Sequence, residues 1–381
     1  MRFSKAFLAL SISGLFAILS STMSKSPTLP LFAESLGLSE GEIGLVAATS
    51  TITGIIVNFS AGALSDIYGR KKLLIASGFF FASAPFLYLF VSDAWQLALI
   101  RAYHGIATAT FTPVAIALIA DIYESGRGEM MGWFSSATMI GRLAAPITAG
   151  VVLSLAGFEE AYLLCGIIGF IALVSMSQIP SPRSERKSNL SGKFSRDILQ
   201  VLFSGDVVTA GVVMAVTYFA MQSLETFLPI YLGGLGVEPW LIGAIFTIEL
   251  FTIMILKPYA GRLSDAVGRI KTISLGLVIS SIGITGITFL KSCEGLIFSI
   301  IIFSIGVAFT TAATPPLVSE LVTREKYGAA IGAMETIKDV GQALGPIFTG
   351  IILMYVAFED ALLVISGLLI FALPLIYLRL R

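Results

Sequence analysis

Nine ionisable side chains lie inside stretches that are otherwise apolar: Lys25, Arg101, Arg142, Lys257 and Lys338 against Glu225, Glu249, Glu335 and Asp339. At the centre of a hydrocarbon layer each charge costs about 2.5–3.5 kcal/mol on insertion scales, so each asks for a partner or a wet cavity. Five cations against four carboxylates is near balance, and carboxyls in such surroundings can carry protons. These residue types therefore allow ion pairing, proton exchange and recognition of a charged solute. Other chemistries lack their parts. Cys165 and Cys293 have no C-x-x-C spacing and, with His104 as the one histidine, form no metal-ligand set. There is no phosphate-cradling Gly loop or Walker lysine and no nucleophile with an orienting base, so neither an enzyme nor a cofactor is expected.

The elements that position these charges follow from composition. Of 381 residues 56% are hydrophobic and 13% charged, against about 25% charged in a soluble domain. A formal net charge of zero gives no reason to expect a nucleic-acid partner. Apolar stretches long enough to cross a bilayer are predicted near 6–31, 43–64, 73–92, 95–120, 130–155, 161–179, 207–231, 240–261, 272–290, 295–318, 328–355 and 359–378. The first, with Arg2 and Lys5 before its apolar run, has the outline of a signal peptide, but the run continues through Met23 to Leu31, long enough to span. Gly, Ala, Ser and Thr scattered through the spans favour close helix packing over isolated anchors, and the ten-residue alternation of a β-barrel is missing. With the N-terminus inside, eighteen of the 24 Lys and Arg fall on the cytoplasmic side and Lys291 falls in an external loop. By the positive-inside rule both termini are cytoplasmic.

Ser181 to Asp197, rich in Ser, Lys and Arg, separates two halves that resemble each other. Gly62, Ser65, Asp66, Gly69, Arg70 and Lys72 recur at an offset of 199 as Gly261, Ser264, Asp265, Gly268, Arg269 and Lys271. Gly132, Gly141, Pro146 and Gly150 recur at an offset of 200 as Gly332, Gly341, Pro346 and Gly350. The expected fold class is an all-α integral membrane protein, twelve transmembrane helices in two pseudo-symmetric six-helix bundles. The expected division is 1–180, a cytoplasmic linker 181–204, and 205–381. A six-plus-six duplication is the arrangement of transporters with a midplane site at the repeat interface.

Gly62-Ala-Leu-Ser-Asp66-Ile-Tyr-Gly69-Arg70 and its copy Gly261-Arg-Leu-Ser-Asp265-Ala-Val-Gly268-Arg269 resemble the loop between helices 2 and 3 of the major facilitator superfamily, repeated between helices 8 and 9. A positive-inside loop explains the basic residues but not the aspartates. The glycines Gly62 and Gly261 are expected to let a neighbouring helix approach, and the aspartates to make charge-assisted contacts with loop arginines and helix ends. In the family such contacts are thought to latch the cytoplasmic side shut. Arg101-Ala-Tyr-His104-Gly105 is similar to the family's helix 4 element R-x-x-q-G. Gly141 through Pro146 to Gly150 is similar to the helix 5 element of proton-driven antiporters, with Ala145 and Ala149 in place of two glycines; Gly341, Gly345, Pro346 and Gly350 keep that pattern on helix 11.

The predicted spans put Lys25, Arg101 and Glu225 on helices 1, 4 and 7, each six residues from an external end, or about 9 Å deep at roughly 1.5 Å per residue, and the resemblance implies that these helices line the cavity. Arg142 and Glu249 fall near mid-depth on helices 5 and 8, and Asp339 is central on helix 11 with Glu335 one turn below. These residues, with His104 as a titratable neighbour of Arg101, form the expected substrate and proton pathway. Lys257 is close enough to an end to snorkel, and Lys338 reads as a structural ion-pair partner. The resemblance implies a monomeric, plasma-membrane secondary transporter whose partners are a small solute, protons and the bilayer. Proton-coupled efflux of a drug-like solute is the leading reading, with transport of an organic anion or other metabolite, or a non-transporting sensor, as alternatives.

Overall fold

The computed structural model describes residues 4–123, 125–180, 204–324 and 326–379, apart from the side chains of residues 59, 60, 62 and 63. Apart from Ser204, the expected linker lies outside the described residues. The described chain runs through α1 (Lys5–Met23), α2 (Thr28–Ser35), α3 (Glu40–Tyr68), α4 (Arg70–Leu87), a short 3-10 turn Tyr88–Phe90, α5 (Ala94–Ile122), α6 (Arg127–Leu155) and α7 (Phe158–Ser177). It continues through α8 (Gly205–Gly234), α9 (Pro239–Val267), α10 (Arg269–Phe289), α11 (Cys293–Leu321), α12 (Tyr327–Leu353) and α13 (Phe358–Arg379).

Among the described residues, 11 helical segments are long and apolar enough to cross a membrane, with Lys5–Ser35 counted as one. The remaining one of the twelve expected spans, the eleventh in chain order, is α12, a helix of 27 residues that falls below that apolarity because Glu335, Lys338 and Asp339 interrupt it. The first span was expected to be continuous and is not: α1 ends at Met23, and α2 restarts at Thr28. Pro27, with no amide hydrogen to donate, sits in the break with Lys25. The Thr28 hydroxyl donates to the Met23 carbonyl at 2.6 Å across it.

Large apolar side chains face outward. Ile56, Ile67, Leu99 and Phe371 are 70–73% exposed, a cost in water but a match for acyl chains. Hydroxyls inside the helices turn back on their own backbone. Thr217 donates to the Val213 carbonyl, Ser304 to Ile300, Thr311 to Val307 and Thr314 to Thr310, at 2.7–2.9 Å. Each hydroxyl so bonded is satisfied without water.

By proximity of its backbone the chain separates into two compact units: the described residues of Met1–Asn189 with Leu228–Thr247, and those of Leu190–Phe227 with Ile248–Arg381. In the first, α1 packs on α6 and α7, α4 on α5 and α7, and α3 on α5. Its core includes Leu10, Leu74, Phe81, Phe111, Phe134 and Met176, with Phe81 edge-on to Phe111 at 5.9 Å. In the second, α10 packs on α11 and α13, matching the way α4 packs on α5 and α7. Helix starts also repeat at the 199-residue offset: Asp93 caps α5 by accepting from the Gln96 amide at 2.8 Å, and Ser292 caps α11 by accepting from the Gly295 amide at 3.1 Å.

Glycines of the helix 5 and helix 11 elements act through packing. A Cβ at Gly141 would overlap the Leu15 carbonyl of α1, and one at Gly341 the Ala215 carbonyl of α8. Gly150 and Gly243 pack reciprocally, Gly150 against the Pro239 carbonyl and Gly243 against the Pro146 carbonyl. They lock the start of α9 onto α6, where the Trp240 amide also donates to the Ser154 hydroxyl at 3.0 Å. Gly261 departs from expectation. A Cβ there would meet nothing within 4 Å among the described residues, so no described helix approaches it closely, and the surroundings of Gly62 lie outside the described residues. Gly341→Val should lower stability by about 1–3 kcal/mol through overpacking against α8. Gly332→Ala, which meets open space, should be neutral or stabilising by up to about 1 kcal/mol. Thermal unfolding of the purified variants in detergent measures both.

Candidate functional site

The repeated loop builds two matching charge knots. Gly69 and Gly268, at φ +94° and +106°, take a backbone conformation that side chains with a Cβ rarely adopt. Each ends one helix and starts the next without an intervening loop. That sharp turn places Arg70 and Arg269 first in α4 and α10, four residues after Asp66 and Asp265. In the first unit Arg70 binds Asp66 Oδ1 at 2.5 Å, the Ser65 hydroxyl, and Asp121 Oδ2 at 3.0 Å. In the second, Arg269 binds Asp265 Oδ1 at 2.5 Å, Ser264 Oγ at 2.7 Å and Glu320 Oε1 at 3.0 Å.

Asp121 and Glu320 were missed in the sequence. Both stand 51 residues after their arginine, at the last turns of α5 and α11, and the 199-residue offset that relates the two loops also relates these two acids. Each arginine thus ties together three helices: α3, α4 and α5 in one unit, α9, α10 and α11 in the other.

Arg101 and His104 lie on α5, where they are 3% and 2% exposed. A Cβ at Gly105 would come to 2.8 Å of the Ser50 carbonyl, so this glycine lets α5 close on α3. One turn away, Arg101 Nη2 donates to the hydroxyl of the same Ser50 at 2.6 Å, and Nη1 lies 3.5 Å from the Tyr88 hydroxyl. Tyr88 is a hub: its hydroxyl is 3.5 Å from His104 Nδ1, and its ring stacks on Tyr162 at 4.5 Å and 14°. Among the described residues Arg101 Nε, His104 Nε2 and the Tyr162 hydroxyl have no hydrogen-bond partner. Ser50, Tyr88 and Tyr162 come from three different helical segments and carried no signal in the sequence.

In the second unit, α12 lies against α8 along a polar seam. The Lys338 ammonium binds Glu335 Oε2 at 2.5 Å and Asp339 Oδ1 at 3.0 Å, and it sits 5.0 Å from the centre of the Tyr218 ring. One turn along, Gln342 Nε2 donates to Gln222 Oε1 at 3.2 Å, and further along the Thr349 hydroxyl bonds Ser223 Oγ at 2.8 Å. Glu225, half-buried, follows Gln222 by three residues on α8. Glu249 is buried on α9, Arg142 is exposed on α6, and Lys25 lies in the break between α1 and α2.

The sequence profile of the Major Facilitator Superfamily matches residues 10–248 and 210–381. The chain belongs to this family. It is therefore a multi-pass membrane transporter with a small-molecule substrate, on an all-helical fold. It is 25% identical to the multidrug resistance protein MdtG of Klebsiella pneumoniae, over 91% of this chain and 86% of that protein. It is 23% identical to a multi-drug resistance efflux pump PmrA homolog of Lactococcus lactis, over 92% of this chain and 88% of that protein. Among solved structures the nucleoside transporter NupG superposes with a TM-score of 0.86 at 14% identity, covering 99% of this chain and 100% of that one. The xylose transporter XylE from E. coli, in an inward-open conformation, gives 0.75 at 15%, covering 98% and 96%. At these identities the superpositions establish the fold.

The charge knots carry a direct test. Arg70→Gln and Asp121→Asn should each destabilise the protein. Their double-mutant cycle should show a coupling of about 1 kcal/mol, the range of a partly exposed pair. Thermal unfolding of the four proteins gives the coupling, and a value of zero removes the α4–α5 tie.

Proposed function

We propose that this chain is a secondary active transporter that works by alternating access and couples export of a drug-like or amphiphilic solute to proton entry across the plasma membrane. The observation that carries this reading is its likeness, over about nine-tenths of its length, to proteins named for multidrug resistance and multi-drug efflux. The ionisable residues held within the spans supply what coupling needs. Glu225 is the carboxylate we assign to the proton, gated by Lys25 and Arg101. Loss of water around a carboxyl favours its neutral form, while a neighbouring ammonium or guanidinium favours the ionised form. Closing and opening the outer side would switch Glu225 between those influences. The six-helix halves 1–180 and 205–381 are the moving bodies in this scheme, the monomer is the working unit, both termini are cytoplasmic, and Asp66 and Asp265 belong to the cytoplasmic latch. Arg142 and Glu249 complete the pathway as a pair between the halves.

One observation favours a second reading, transport of an organic anion or other metabolite. Arg101 is buried, and its hydrogen bonds among the described residues go to two hydroxyls rather than a carboxylate. Proteoliposomes separate the two readings. With an imposed proton gradient the wild type should accumulate a lipophilic cation uphill, and a protonophore should abolish the accumulation. Glu225→Gln should lose uphill transport while keeping solute binding and downhill exchange. Uphill transport with wild-type pH dependence in that variant would move the proton site elsewhere, with Asp339 the next carboxylate to test. Accumulation of a carboxylate and not of the cation would favour the second reading.

A further inference from the structure

We propose that Glu335, Asp339 and the face of Tyr218 form a binding site for an organic ammonium, occupied in this structure by Lys338 as a tethered surrogate. Two carboxylates beside an aromatic face make a chemistry that recognises a cationic amine. The structure shows that chemistry engaged, with an ammonium 2.5 Å from one carboxylate, 3.0 Å from the other and 5.0 Å from the ring centre. One carboxylate is enough to neutralise one lysine. Here a second carboxylate leaves the group with one net negative charge, so it still attracts a cation. The carboxylates are also the open side of the cluster: Glu335 and Asp339 are 44% and 24% exposed, Lys338 15%.

The scaffold keeps the acceptors in place. Gly341 seats α12 against Ala215 of α8, which fixes Tyr218 opposite the carboxylates. Lysine, by contrast, carries its charge on a four-carbon stem with freely rotating bonds, so it can withdraw as a ligand's ammonium enters. A group tethered in this way competes at an effective concentration on the order of millimolar or more, and that competition keeps the site from retaining its ligand. The inference rests on the reading of this chain as a transporter of amphiphilic solutes, and it narrows the solute to one bearing a protonated amine.

The test uses the full-length protein in nanodiscs and calorimetric titration with phenethylammonium, with phenylpropanoate as an anion of similar size. Lys338→Met keeps the apolar stem and removes the competitor. It should bind phenethylammonium about tenfold more tightly than the wild type, a change of about 1.4 kcal/mol, with phenylpropanoate unaffected. Lys338→Arg, which keeps a tethered cation, should stay within about twofold of wild type. Adding Glu335→Gln and Asp339→Asn to Lys338→Met should remove the gain. Unchanged affinity in Lys338→Met, or equal tightening toward both probes, would overturn the assignment. Should Lys338→Met fail to fold, Asp339→Asn in the wild-type background decides, because it must weaken phenethylammonium binding and a result equal to wild type overturns the site. Uphill transport by the wild type is scored separately in proteoliposomes, so a failed site and a failed transport reading give different results.

Discussion

Hydrocarbon supplies neither hydrogen-bond partners nor screening, so each amide, hydroxyl and ion that enters it must be satisfied from within the protein. Amides are satisfied by helix formation, which is why the described spans are helical. Hydroxyls such as Thr217 and Thr311 are satisfied by the carbonyl one turn back. Ions are satisfied by one another, as Lys338 is by Glu335 and Asp339. Because lipid is as apolar as leucine, burying apolar surface gives little drive for helices to associate there. Close contact has to come from shape instead, and Gly141, Gly150, Gly243 and Gly341 supply it by bringing one backbone against another.

The two charge knots show how one solution is used twice. In each unit a glycine with positive φ makes a turn so tight that the arginine after it faces the aspartate before it, and a second acid 51 residues later closes the set. One arginine against two carboxylates and a serine fills most of the five donors of a guanidinium. The planar fork suits this arrangement, and a lysine could not reproduce it. The identity of the residues, more than their charge, therefore carries the geometry.

Much of this was legible in the sequence because hydrophobic length, basic-residue asymmetry and the 199-residue repeat are one-dimensional signals. Asp66, Arg70, Asp265 and Arg269 could be found by comparing the chain with itself. Their partners Asp121 and Glu320 could not be recognised as such, since what joins them to the arginines is the packing of α5 on α4 and of α11 on α10. The same holds for Ser50, Tyr88 and Tyr162, which meet Arg101 only once three segments are folded together. The break at Ser24 to Pro27 was hidden because its residues sit between two apolar runs that together have the length of one span. Lys338 was seen as an ion-pair partner, but its grip on two acids depends on rotamers and on the ring of Tyr218 from another helix. Gly261 shares the repeated position, yet among the described residues nothing lies within 4 Å of a Cβ there.

The polarity of α12 has a consequence for how the protein is made. Glu335, Lys338 and Asp339 raise the cost of placing this helix in lipid, each charge at the centre of the layer adding about 2.5–3.5 kcal/mol on the scale that describes insertion. What offsets that cost lies partly within the helix, in the ion pairs around Lys338, and partly on α8, whose Tyr218 and Gln222 receive the polar face. Helix α8 is synthesised more than a hundred residues earlier. Until α12 is made, the polar seam of α8 lacks these partners, so the contact between the first helix of this half and its fifth can form only late in synthesis.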